Sequence, residues 1–197
     1  MTLPNPEAQM IFTSFRLVAA NRVEGNYYQF GVYNGYPMRA AYHCTNSKEI
    51  GIFRVQENAT LIGGAFDRMK FFGFGPVDAV TQARIIDAGI APEDLKIDTG
   101  PLSQVELKPQ SAAVVFVSFD NAEDVTLSLR AAEPALQVGT VIIVNKWWKA
   151  RHQARIGFDK WVESYIPLKD FDRYLEVFQD NGWARAFVVR KLSQGAP

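Results

Sequence analysis

The sequence predicts a doubly wound α/β sheet with helices on both faces, and three observations carry that reading. An aromatic and β-branched run, Tyr27-Tyr28-Gln29-Phe30, ends in two glycines four positions apart, Gly31 and Gly35, with a helix-compatible segment behind them. Two later runs, Ala112 to Phe119 and Thr140 to Val144, are continuously apolar, as strands covered on both faces must be. Between these runs stand amphipathic segments of helical spacing, so strands and helices alternate along the chain.

In order, Met10, Ile11, Phe15, Leu17 and Val18 predict an N-terminal helix from Glu7 to about Ala20, which covers the sheet or a site edge. The first strand and its glycine turn follow, and Pro37 opens a helix through about Tyr42 or beyond. Asn46 to Asp67 reads least clearly, with a helix around Arg54 to Leu61 before the breaker Gly63-Gly64. Lys70 to Phe74 is a second strand, Val77 to Ile86 a helix ending at Gly89, and Leu95 to Ile97 a short third strand. The apolar fourth strand leads into a helix from Glu123 to about Glu133, which Pro134 and Gly139 stop before the fifth strand. Helices are expected at Ile156 to Tyr165 and Phe171 to Gln179, and Asn181-Gly182 turns the chain into a last strand, Arg185 to Val189. Sheets of this kind bind ligands beyond the strand C-termini, so the site belongs to the residues after each strand.

Composition narrows the function classes. With 197 residues, 48% of them hydrophobic, the chain suffices for one domain over residues 1–197, in which residues 1–22 form an N-terminal helical extension. Twenty-one basic residues balance twenty-one acidic ones and are scattered, which leaves no electrostatic footprint for nucleic acid or an anionic membrane. Cys44 is the only cysteine, which excludes an intrachain disulfide and a multi-cysteine zinc site. No signal-peptide pattern and no membrane-spanning run is present, so a cytoplasmic protein is expected. The apolar N-terminal helix leaves room for a homodimer.

Five motifs, Gln29-Phe30-Gly31-Val32-Tyr33-Asn34-Gly35, Phe72-Gly73-Phe74, Asp98-Thr99-Gly100-Pro101-Leu102, Phe116-Val117-Ser118-Phe119-Asp120 and Gly139 to Asn145, come in the order and spacing found in class I S-adenosylmethionine-dependent methyltransferases. The chain most resembles the macrocin-type sugar O-methyltransferases, from roughly Glu24 to Val144. The resemblance implies a Rossmann-like sheet of about seven strands, mostly parallel, with an antiparallel last strand. It implies S-adenosylmethionine as cofactor, S-adenosylhomocysteine as product and a small polar acceptor. Gln29, Gly31, Val32, Tyr33 and Gly35 are then expected at the methionine and ribose part, Gly73 and Phe74 after the second strand, Gly100 and Leu102 near the adenine, and Ser118 after the fourth strand.

Departures from the family pattern are as informative. Gln29 stands in place of a glutamate and lacks the charge that would pair with the cofactor's amino group. Gly75 replaces the ribose-binding aspartate, with Asp78 nearby as a substitute through a shifted loop. Asp120 matches the first aspartate of the family's magnesium site, but Ala122 follows where a second belongs, with Asp124 close by, and Asn145-Lys146 replaces the acidic pair after the fifth strand. An amide and a cation in place of anionic ligands speak against magnesium. Lys146 is instead expected to fill the metal's place and pair with Asp120.

Of the two histidines, His152 is the better candidate for a base because it follows the strand-end loop, while His43 suits a structural or surface role. The catalytic set is therefore Asp120, Lys146 and His152. Trp147, Trp148, Lys149, Arg151, His152 and Arg155 form an aromatic and basic cluster, which suits a sugar face, an anionic substrate, or a packed lid. Tyr27, Tyr28 and Phe30 are assigned to the core, and Cys44 to a buried apolar role. Two functions from different classes emerge: O-methylation of a small polar acceptor such as a sugar or natural product, metal-independent or with an altered metal site, and a catalytically inactive binding or assembly module on the same fold. A nicotinamide oxidoreductase is weaker, because Gly73-x-Gly75 lacks the third glycine of the dinucleotide fingerprint.

Overall fold

The computed structural model describes residues 5–46, 66, 68–147, 175–180 and 184–190. Among these, seven strands form one sheet in the order β3-β2-β1-β4-β5-β7-β6. The strands are β1 (Asn26–Phe30), β2 (Phe71–Phe74), β3 (Leu95–Asp98), β4 (Ala112–Val117), β5 (Val141–Val144), β6 (Leu175–Asp180) and β7 (Arg185–Val189). β1 to β5 are parallel, and β7 runs antiparallel between β5 and β6. The described helices are α1 (Pro6–Ala20), α2 (Tyr36–Asn46), α3 (Ala79–Asp87) and α4 (Ala122–Ala132).

Side chains of successive strand residues point to opposite faces, so each apolar strand feeds two cores. Tyr28, Phe30, Phe74, Val115, Val117, Ile142 and Val144 meet Val125, Leu129 and Ala132 of α4 on one face. Tyr27, Phe71, Val114, Phe116, Val141 and Ile143 meet Met10, Ile11, Phe15 and Val18 of α1, Met38 and Ala41 of α2, and Ile85 of α3 on the other. Every residue of β4 is buried, as its unbroken apolar run requires. The apolar residues of α1 that left room for a homodimer are used in this packing within the chain. No described helix is long and apolar enough to cross a membrane.

Local signals set the helix starts. Asn5 accepts a hydrogen bond from the Glu7 amide with Pro6 in the first turn, Asp78 caps α3 through the Thr81 amide, and Asn121 caps α4 through the Asp124 amide.

Two expectations need correction. The helix expected over Phe171 to Gln179 is a strand from Leu175, because β7 offers an antiparallel ladder from Arg185 to Val189 and residues 175–180 pair with it. The fourth strand stops at Val117 rather than Phe119: Ser118 gives its amide to Phe30 O (2.9 Å), after which the chain leaves the ladder. The helices expected at Arg54 to Leu61 and Ile156 to Tyr165 lie outside the described residues.

Candidate functional site

The C-terminal ends of β1, β2 and β3 lie side by side, and a glycine follows each: Gly31, Gly75 and, two residues on, Gly100. Gly31 has φ +83°, and a Cβ there would lie 2.1 Å from the Ser118 carbonyl oxygen, so only glycine lets β1 turn beside β4. Gly75 is different. A Cβ there would meet Phe119 Cζ at 3.6 Å and Gly31 N at 3.7 Å, ordinary contacts, so the glycine leaves a cradle that a side chain would fill. At Gly100 only Asp98 Oδ1 stands close, at 3.0 Å. The result is a ledge of bare backbone along three strand ends.

The residues singled out in the sequence divide around this ledge. Gln29 is fully buried; its Oε1 accepts from the Tyr27 hydroxyl (3.0 Å), and its Nε2 donates to Gly31 O (3.1 Å) and Val32 O (3.5 Å). It therefore holds the turn from inside. Val32 and Phe74 are buried in opposite cores, and a Cβ on Gly73 would meet Val32 Cγ2 at 2.8 Å, so these three pack the sheet. Gly35 packs against Ile85 in the same way. Tyr33 is exposed at the rim, and Leu102 is half-buried against the core beyond β3. Asp78 caps α3 and its hydrogen bonds to that helix lower its pKa, which ties its carboxylate to a structural task. The acidic group that does stand on the ledge is Asp98, the last residue of β3. It is exposed, paired in register with Phe74, and its Oδ1 accepts from the Gly100 amide (2.8 Å).

Beyond the ends of β4 and β5 lies a charged cluster. Lys146 Nζ is 3.2 Å from Asp120 Oδ1 and 4.9 Å from the centroid of the Tyr33 ring. The expected meeting of Lys146 and Asp120 is present. Tyr33 also meets Phe119 edge-on, with centroids 6.0 Å apart. Both Tyr33 (φ 43°) and Lys146 (φ 53°) hold left-handed backbone without being glycine, which costs on the order of 1–3 kcal/mol each and occurs where surrounding structure enforces it. Burial raises the Tyr33 hydroxyl pKa, with the Asp120 and Asp124 charges adding to the effect.

Sequence reasoning missed Glu7. The first turn of α1 brings its carboxylate to Asn145, whose Nδ2 donates to Glu7 Oε1 (2.8 Å) and to Ser118 Oγ (3.2 Å). Burial raises the Glu7 pKa, and the Lys146 charge partly offsets that rise. No local signal in the sequence marks a residue brought in from so far along the chain.

Trp147 is buried edge-on against Phe187 (5.4 Å) with the Arg185 guanidinium over its ring (5.0 Å). It packs into the core on one face of the sheet, beside β7. His43 is exposed in the last turn of α2, remote from the glycine turn that begins that helix. His152 and the basic residues beside it lie outside the described residues. Among the described residues no three His, Cys, Asp or Glu side chains are grouped so as to hold a metal ion.

A sheet ordered β3-β2-β1-β4-β5-β7-β6 with β7 reversed, a glycine turn after β1 and a polar cluster beyond β4 and β5 has the fold of the class I S-adenosylmethionine-dependent methyltransferases. No protein-family model matches the chain, and no curated protein matches it. Solved structures do. The O-methyltransferase NovP superimposes with a TM-score of 0.66 at 13% identity, over 93% of this chain and 79% of that one. CalS11, a TDP-rhamnose 3'-O-methyltransferase of calicheamicin biosynthesis, gives 0.59 at 15% identity over 96% and 79%. TomG of Streptomyces achromogenes, an O-methyltransferase involved in tomaymycin synthesis and solved with its cofactor, gives 0.56 at 14% over 96% and 82%. At these identities the likeness shows the fold.

Proposed function

We propose that the chain binds S-adenosylmethionine on the glycine ledge and methylates a hydroxyl of a small polar acceptor, such as a sugar or natural product, without a divalent metal. The observation that carries this reading is the contact of Lys146 Nζ with Asp120 at 3.2 Å, where β4 and β5 end beside the ledge. An ammonium held there supplies a fixed positive charge, and it repels a divalent cation approaching Asp120. The ledge suits the cofactor in shape: the cradle at Gly75 and the open side of Gly100 leave room for a ribose and a base, and Asp98 offers a carboxylate for hydroxyl groups.

When bound, the cofactor supplies an electrophilic methyl group on a sulfonium. The chain's own part is placement. The loop from Gly31 to Gly35, Gly75 and the stretch from Asp98 to Leu102 hold the ligand through backbone and apolar contact. Lys146 and Asp120 orient the acceptor hydroxyl, and alignment supplies much of the acceleration. CalS11 and TomG act in the chemistry of small natural products, which supports an acceptor of that class.

One observation favours the second reading, an inactive binding or assembly module. Gln29 is fully buried, its carboxamide is engaged with Tyr27 and the turn's own carbonyls, and it brings no charge to pair with a cofactor amino group. Calorimetric titration with S-adenosylmethionine and S-adenosylhomocysteine, with and without magnesium, separates the two. Micromolar binding that magnesium leaves unchanged is the expected result. Absence of binding by either compound overturns the methyltransferase reading and favours the module.

A further inference from the structure

Lys146 stands over the loop that the proposed function gives to the cofactor. Its Nζ is 4.9 Å from the centroid of the Tyr33 ring, and Tyr33 lies in the turn that the Gly35 amide closes onto Val32 O (2.8 Å). The same ammonium is 3.2 Å from Asp120 Oδ1. An aromatic face and a carboxylate together make a seat for a cation, and here a side chain of the chain itself fills it. The seat is open to solvent: Tyr33 is 41% exposed and the Asp120 side chain 52%. It also adjoins the cradle at Gly75 through Phe119, which a Cβ on Gly75 would meet at 3.6 Å and whose ring centroid lies 6.0 Å from that of Tyr33.

We infer that Lys146 sets the charge selectivity of the ledge: its ammonium, held on Tyr33 and Asp120, disfavours a positively charged ligand on this loop and spares a neutral one of the same shape, so S-adenosylhomocysteine binds more tightly than S-adenosylmethionine. This deepens the proposed function and rests on that reading. The two compounds differ at the sulfur by one methyl group and one positive charge. A sulfonium brought onto the loop either bears the repulsion of the ammonium or displaces it from Tyr33 and Asp120; both cost binding, and neither cost falls on the thioether. The carboxylates act in the opposite sense. The charges of Asp120 and Asp124 are felt at the Tyr33 hydroxyl, so removing the ammonium leaves an aromatic face beside uncompensated negative charge, and a sulfonium gains what Lys146 had held. The effect is on binding. Orientation of the acceptor hydroxyl by Lys146 and Asp120 is a separate contribution.

The test is calorimetric titration of the full chain with each compound in turn, without an acceptor, and the quantity read is the ratio of the two dissociation constants. In the unaltered protein S-adenosylhomocysteine should bind about tenfold more tightly. Lys146→Met should bring the ratio about fivefold or more closer to one, through the S-adenosylmethionine constant alone. Lys146→Arg, which keeps the charge and its aromatic contact, should hold the ratio within about twofold. If Lys146→Met does not fold, Lys146→Asn removes the charge with a side chain that tolerates the left-handed backbone at this position, and it is read in the same way. Equal affinity in the unaltered protein overturns the inference, as does a neutral variant that weakens both compounds together and leaves the ratio unchanged, the mark of a merely structural lysine. The two readings fail separately. Binding of neither compound removes the methyltransferase and this selectivity with it, whereas binding of both at a ratio indifferent to Lys146 removes the selectivity alone.

Discussion

At the residue scale, the tightest constraint is Gly31. An alanine there combines left-handed backbone with a Cβ 2.1 Å from the Ser118 carbonyl oxygen, so Gly31→Ala should destabilise by more than about 2 kcal/mol in denaturant titration. Gly75→Ala shares the strain (φ +111°) but meets only ordinary contacts, and should cost less while filling the cradle. Lys146 behaves oppositely. Its partner Asp120 is 52% exposed, so removing the pair by Lys146→Met should change stability by less than about 1 kcal/mol, yet lower turnover at least tenfold. Glu7 has a pH signature. Burial raises its pKa in the folded protein, so the stability associated with its protonated form is fully present below the unfolded carboxylate range. That stability is lost as pH rises through the raised folded value. Glu7→Gln should flatten this part of the profile, measured as melting temperature across acidic to neutral pH. Cys44, whose thiol burial pushes to about 12, should resist iodoacetamide at pH 8 until the protein is unfolded.

At the scale of elements, capping decides what is easily changed. Asn121 accepts from the Asp124 amide (2.8 Å) and its Nδ2 bonds the Asp124 carboxylate (2.7 Å), so Asn121→Ala should cost α4 about 1 kcal/mol, read from the denaturation midpoint. This scale is also where sequence reading succeeded and failed. β4 and β5 were legible because strands covered on both faces leave unbroken apolar runs. β6 was not, because Leu175-Glu176-Val177-Phe178-Gln179-Asp180 suits either period, and only the ladder offered by β7 selects the strand. Of the site, Lys146 and Asp120 were legible through their places after two strands. Asp98 and Glu7 were not: the first needed the register of β3 beside β2, and the second needed α1 to be laid across the sheet.

For the whole molecule, the separation between fold and function is physical. Strand order follows from burying two apolar faces, which many sequences achieve, and likeness at 13–15% identity reflects that shared solution. Function rests on a few polar atoms at the strand ends. A ligand seated on them binds the folded chain alone and should raise its melting temperature with concentration, by about 2.7 kcal/mol of added stability at a hundredfold excess over its Kd.

The bond between Glu7 and Asn145 spans 138 positions. A chain emerging from the ribosome therefore presents α1 long before β5 exists to receive it, with Met10, Ile11, Phe15 and Val18 lacking their cover until the sheet forms. Closing so large a loop is slow relative to local structure. Binding competence should thus be the last property a nascent molecule acquires, and the waiting helix is the segment a chaperone would hold.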